Sequence, residues 1–282
     1  MTSSAERGAA PLLPPPSPEE VKAFYALVEK QTTAGVLSRF SRCAELSERA
    51  ARHAERLWGD NNSLVVAELR VIEAVSLRGL AVASTSFSEK VALRRRAWAI
   101  LVPVHAFLLR RLADNTLLPG NTTEEEVTYY ARSLAFACVA KDKPVPSEAA
   151  LNGVGIALGY TTLLDAISLT LSLLMELRGS ALPRESAHAF VLTALDAIPR
   201  TATVRYRLAS EAAFVEMIET NMKPQNFEPS FCAAVLRKWR SSAVADVLRA
   251  RGPLHTAVAE YQETVVEFEA RRRADLGKIG LR

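Results

Sequence analysis

Apolar residues recur at helical spacing along most of this chain, and polar turns interrupt them where helices end. The clearest case lies between Glu48 and Ala74. Ala50, Ala51, Ala54 and Leu57 form one helical stripe, Gly59-Asp60-Asn61-Asn62 breaks it, and Val65, Val66, Leu69 and Ile72 restart it on a new face. Two helices joined by so short a turn pack antiparallel. The same reading predicts helices from Pro18 through Gln31, Val36 to Trp58 and Ser63 to Ala83. A capping box, Ser86 with Glu89, opens a fourth that runs to Leu112, and Thr122 with Glu125 opens a fifth to Ala140. A sixth, Ser147 to Tyr160, is weakened by Gly153, Gly155 and Gly159. Further helices are expected over Thr162 to Gly179, Pro183 to Ile198 with Pro199 closing it, Thr203 to Ile218, Ser230 to Arg249, and Pro253 to Ala274. No sustained alternation of apolar and polar residues and no Asn-Gly or Asp-Gly hairpin turn points to a strand.

The predicted fold class is therefore all-α: antiparallel helix pairs stacked as an irregular solenoid or a layered helical bundle. Residues 1–18, rich in Ala, Ser and Pro, read as a disordered tail, and 19–282 as one helical domain. Helix pairs start near Val36, Ser88, Thr162 and Thr203, at uneven spacing. A chain of 282 residues buries enough surface to need no metal or disulfide for folding.

The segment from Glu48 to Ala83 resembles a tetratricopeptide repeat of the kinesin-light-chain type, through Leu57-Trp58-Gly59-Asp60 followed by Ala67 and Leu69. Leu164 to Leu195 is a fainter echo. Elsewhere the chain departs from the pattern, with a proline inside the fourth helix and glycines in the sixth. The resemblance implies a TPR-like scaffold with a concave groove that binds peptides or partner helices.

Charge changes this picture little. The net charge is +4, and Arg237 to Arg282 carries the whole excess. Within it, Arg237, Lys238 and Arg240 surround Trp239, a pattern in which an indole stacks on a base while cations hold phosphates. The plainer expectation is a core-facing Trp239 with solvated basic neighbours. Cys43, Cys138 and Cys232 lie far apart among apolar residues and are expected as reduced, buried thiols. The longest apolar run, Ala97 to Leu109, spans about 20 Å as a helix, short of a bilayer core of ~30 Å. It is expected to be a buried core helix kinked at Pro103. With no secretory signal, transit peptide or membrane span in view, the expected location is cytoplasmic.

Candidate chemistry is sparse. His53, His105, His188 and His255 fall on separate predicted helices, and neither HExxH nor CxxC occurs. His53 reads as a partly exposed helix-surface residue and His105 as a buried neutral imidazole. Glu124, Glu125 and Glu126 suit the positive end of a helix. Asn152 to Gly159 is glycine-rich but misses the dinucleotide-loop spacing and follows a helix, which favours close helix packing. No catalytic, cofactor-binding or metal-ligating residue is assigned. The expected function is a non-catalytic protein-interaction scaffold with a protein partner. The alternative is binding of RNA or another anion through the basic C-terminal third, with Arg237, Lys238, Trp239 and Arg240 as contacts. A third is an all-α enzyme whose residues converge from distant helices.

Overall fold

A computed structural model describes residues 16–58, 63–117, 122–155, 158–180, 182–201, 217–218 and 220–243 of the chain; of 153–155, 198–201 and 239–243 only the backbone is described. Nine helices and no strand occur among them: α1 (Pro18–Val36), α2 (Phe40–Trp58), α3 (Leu64–Ala83), α4 (Phe87–Ala113), α5 (Glu124–Ala140), α6 (Glu148–Gly155), α7 (Leu158–Glu176), α8 (Arg184–Thr201) and α9 (Pro229–Ala243). The fold is all-α. The Gly59–Asn62 turn, most of the helix expected over Thr203 to Ile218, and the one expected from Pro253 onward lie outside the described residues.

Local signals explain most boundaries. Ser17 and Glu20 form a full capping box at the start of α1: the Ser17 amide donates to Glu20 Oε2 at 2.9 Å, and the Glu20 amide donates to Ser17 Oγ at 3.3 Å. The box expected at Thr122 and Glu125 sits one residue later, at Thr123 and Glu126. That register wins because it turns Glu126 inward, where its Oε1 also accepts from the Leu64 amide at the start of α3. At α4 the box is half formed: Ser86 Oγ accepts from the Glu89 amide, but the Glu89 carboxylate accepts from the Ser84 hydroxyl at 2.6 Å. Pro199 does not close α8, which continues to Thr201. A proline removes only its own amide, and its penalty falls on the preceding turn.

Side-chain pairs fix the directions of the helices. Gln31 meets Cys43 and Phe24 meets Trp58, so α1 and α2 run antiparallel. Gly79 faces Phe40 and Arg70 pairs with Glu55, so α2 and α3 do as well. A three-residue turn then returns the chain into α4 against α3. These four helices form one layer. A second lies across it: α5 on α1 and α3, α7 on α3 and α4, and α8 on α4 and α7. Glu68 meets Thr162 and Arg78 meets Glu176, so α3 and α7 run parallel. His105 meets Thr170 and Arg94 meets Glu176, so α4 opposes α7. In a solenoid each repeat touches only its neighbours. Here α1 packs on α5 and α3 on α7, and the arrangement is that of a layered bundle.

The most apolar helix is the innermost. α7 carries Leu163, Leu164, Ile167, Leu171, Leu173 and Leu174, all at 1% exposure or less. It is the one described helix long and apolar enough to cross a bilayer, yet 83% of that span is buried inside the protein. Cys43, Cys138 and Cys232 are buried, as expected, and form no disulfide among the described residues.

Candidate functional site

The apolar run Ala97 to Leu109 is not a buried core helix. Its inner face, with Trp98, Leu101, His105 and Leu108, is buried, whereas Ala99, Val102, Pro103 and Ala106 are exposed. α4 continues through Pro103, from Phe87 to Ala113. A helix apolar on both faces, with one face turned to solvent, leaves an apolar surface uncovered.

That surface is one wall of a groove. Ile100, Pro103, Val104, Ala106, Phe107 and Arg110 of α4 face Val66, Ala67 and Arg70 of α3 across a cavity of about 610 Å³. At 3.6 residues per turn, Val66 and Arg70 point about 160° away from Glu68, and Pro103 and Phe107 about 160° away from His105. Glu68 and His105 face α7. The groove therefore opens on the outer face of the α3/α4 pair, opposite the second layer.

Its floor is aliphatic and aromatic, and two arginines mark its rims. Arg70 is already neutralised, donating to Glu55 Oε1 at 3.0 Å and to Glu73 Oε2 at 3.1 Å. Arg111, beside the groove, is held by Glu126 and by the Thr116 carbonyl. Arg110 is exposed and has no carboxylate partner among the described residues. The groove thus presents apolar area with one uncompensated cation at its end.

Behind it, a polar seam joins the two layers. Thr162 Oγ1 lies 2.8 Å from Glu68 Oε2 and 2.8 Å from the Leu158 carbonyl oxygen. Eight residues on, Thr170 Oγ1 lies 2.6 Å from the Ala166 carbonyl oxygen and 2.8 Å from His105 Nε2. A hydroxyl carries one hydrogen. The Thr170 hydroxyl donates to Ala166, so it accepts from His105, which carries its proton on Nε2. Burial lowers the His105 pKa to about 4, and the neutral ring stacks on Phe190 at 4.0 Å. Burial, followed by the nearby Asp165 carboxylate, raises Glu68 to about 8. At the far end, Glu176 accepts from Arg78 and Arg94 together.

The residues singled out from sequence do not converge. Lys238 forms an ion pair with Asp196 of α8, Arg237 is exposed on the same helix, and the side chains of Trp239 and Arg240 lie outside the described residues. His53 is half-buried on α2, edge-on to Phe24 at 6.2 Å, and His188 stacks on Phe231. No group of three or more His, Cys, Asp or Glu able to hold a metal occurs among the described residues. Gly159 is a close-packing glycine, since a Cβ there would lie 3.0 Å from the Leu117 carbonyl oxygen. The groove was missed because its residues belong to a run that periodicity alone reads as core. The signal that marks it is apolar residues on all sides of a helix that also carries Arg94, Arg95, Arg96, Arg110 and Arg111. The chain matches no family model, no curated protein and no solved structure.

Proposed function

We propose that the protein is a non-catalytic docking module whose α3/α4 groove receives an amphipathic helix of a partner protein, with apolar anchors facing the groove and a carboxylate set against Arg110. The observation that carries this reading is an apolar groove that ends on an unpartnered guanidinium. From Ile100 to Arg110 the α4 wall extends about 15 Å, and anchors at i, i+3 or i+4, and i+7 span about 10 Å of a partner helix. A cavity of about 610 Å³ accommodates those few side chains. Charge complementarity selects an acidic partner, because the other groove arginine is already satisfied. The RNA reading has less support, since Lys238 in its candidate patch is engaged by Asp196.

The test is a photo-crosslinking residue at Val102, on the groove edge, with one at Val139 on α5 as control; both positions are exposed. The expected result is a protein crosslinked at Val102 and not at Val139, through an apolar helical segment with an acidic residue, and lost in Ala106→Trp, which fills the groove. Crosslinks that are identical at both positions, or unchanged by Ala106→Trp, would overturn the reading.

A further inference from the structure

We propose that the Glu68 carboxyl keeps its proton in the native protein at neutral pH, and that this proton, donated to Thr162, is a latch holding α3 onto α7 that opens in mild alkali. This does not depend on what occupies the groove.

Thr162 Oγ1 has two oxygens at 2.8 Å, Glu68 Oε2 and the Leu158 carbonyl. Neither a carbonyl nor a carboxylate donates, and the threonine supplies a single hydrogen. If that hydrogen takes the usual helical route back to residue i−4, Leu158, the short contact to Glu68 needs a hydrogen from the carboxyl. Thr170, eight residues along the same face of α7, repeats the arrangement: it bonds back to Ala166 and accepts from His105. Two neutral donors, a carboxylic acid from α3 and an imidazole from α4, thus seat on two hydroxyls of α7.

The surroundings keep the acid neutral. Glu68 is 6% exposed, between Ala67 and Leu69 and beneath α7. The titratable groups that face it are Asp165 of α7, which disfavours a second negative charge, and Tyr129 of α5, itself raised by burial and by the proximity of Glu68. The charged groups that α2 and α4 turn toward α3 are committed elsewhere: Glu55 to Arg70, Glu48 to Arg52 and Arg96, Arg96 to Glu73 as well, Arg94 to Glu176, and Arg111 to Glu126. No cation from any packed helix is paired with Glu68 among the described residues. Burial and Asp165 raise its pKa to about 8 even against the lowering effect of a hydrogen bond from Thr162. Above that pH, Thr162 must give up its bond to Leu158 to serve the carboxylate, and a bare charge sits beside Asp165 in the interface.

The test uses the full chain labelled with 13C at glutamate carboxyls. The expected result is one glutamate resonance titrating near pH 8, displaced from the others and absent in Glu68→Gln. In parallel, the Tm of wild type falls across pH 6.5 to 9 by more than that of Glu68→Gln, whose amide donates to Thr162 at every pH. A spectrum in which every glutamate has titrated by pH 6 overturns the proposal, as does an alkaline titration that persists in Glu68→Gln.

Discussion

Glu176 joins three helices, and neutralising it measures how firmly α3 and α4 are pinned to α7. Its Oε1 accepts from Arg78 Nε at 2.8 Å and its Oε2 from Arg94 Nε at 2.8 Å. Two unit charges about 4 Å apart attract by about 4 kcal/mol at an effective dielectric near 20, before desolvation is subtracted. Arg78 is 35% exposed, so its share falls to the surface scale of about 0.5 kcal/mol. Arg94 and Glu176 are 18% and 13% exposed, and removing the carboxylate leaves the mostly buried Arg94 guanidinium without its ion-pair partner. A fully buried pair broken on one side costs about 3–5 kcal/mol; partial exposure here reduces that, and the total for Glu176→Gln is about 2–3 kcal/mol. At roughly 2–4 °C per kcal/mol for a domain of this size, Tm falls by about 4–12 °C. Urea unfolding followed by circular dichroism gives the free energy, and a cycle with Arg94→Gln isolates the pair. The deficit persists in high salt, because most of the interaction is shielded from solvent. A loss below about 0.5 kcal/mol, or one abolished by salt, would refute this ranking of the two arginines.

Other expectations follow from single contacts. Gly159→Ala destabilises by about 1–3 kcal/mol in chemical denaturation, although alanine is the better helix former, because its methyl meets the Leu117 carbonyl oxygen at 3.0 Å. Ser17→Ala removes the cap of α1 and costs about 1 kcal/mol by the same assay. His105 has a folded pKa of about 4 against an ordinary 6.5, so its contribution is fully present above pH 6.5 and is lost as pH falls toward 4, about 3 kcal/mol in all. Glu68 has the opposite sign: an acid raised from 4.5 to about 8 loses stability as pH rises through that window. The two slopes oppose each other between about pH 4.5 and 6.5, and the loss attributable to Glu68 shows alone above pH 6.5. His105→Gln exposes the alkaline slope of Glu68 over the whole range, as a pH series of thermal melts will show.

How much of this was legible in the sequence depends on where the information lies. Helix bounds are set by local groups. Ser63 and Ser86 cap where the pattern placed them, and α2, α3 and α4 begin and end within a few residues of expectation. The layered arrangement depends on which helices are apolar on every side, and α7 carries that signature in LLDAISLTLSLL. The same reading misassigned Ala97 to Leu109, because an apolar outer face and a buried face look alike to periodicity. Glu68 was hidden differently. An acid between Ala67 and Leu69 in an apolar stretch is visible, but its partner Thr162 lies 94 residues away and no local rule joins them. The Thr123 cap slipped by one position because an inward role for Glu126, on the Leu64 amide, decides between two adjacent boxes.

Wild type and Arg110→Glu are to be compared in binding the partner segment mapped by crosslinking at Val102. Charge reversal is expected to lower affinity at least tenfold and leave the melting temperature unchanged, since Arg110 is exposed and makes no ion pair among the described residues. Reversing the acidic residue of the segment to lysine restores binding to Arg110→Glu. Equal binding by both proteins, or a mapped ligand without an apolar face and a carboxylate, would contradict docking at the groove.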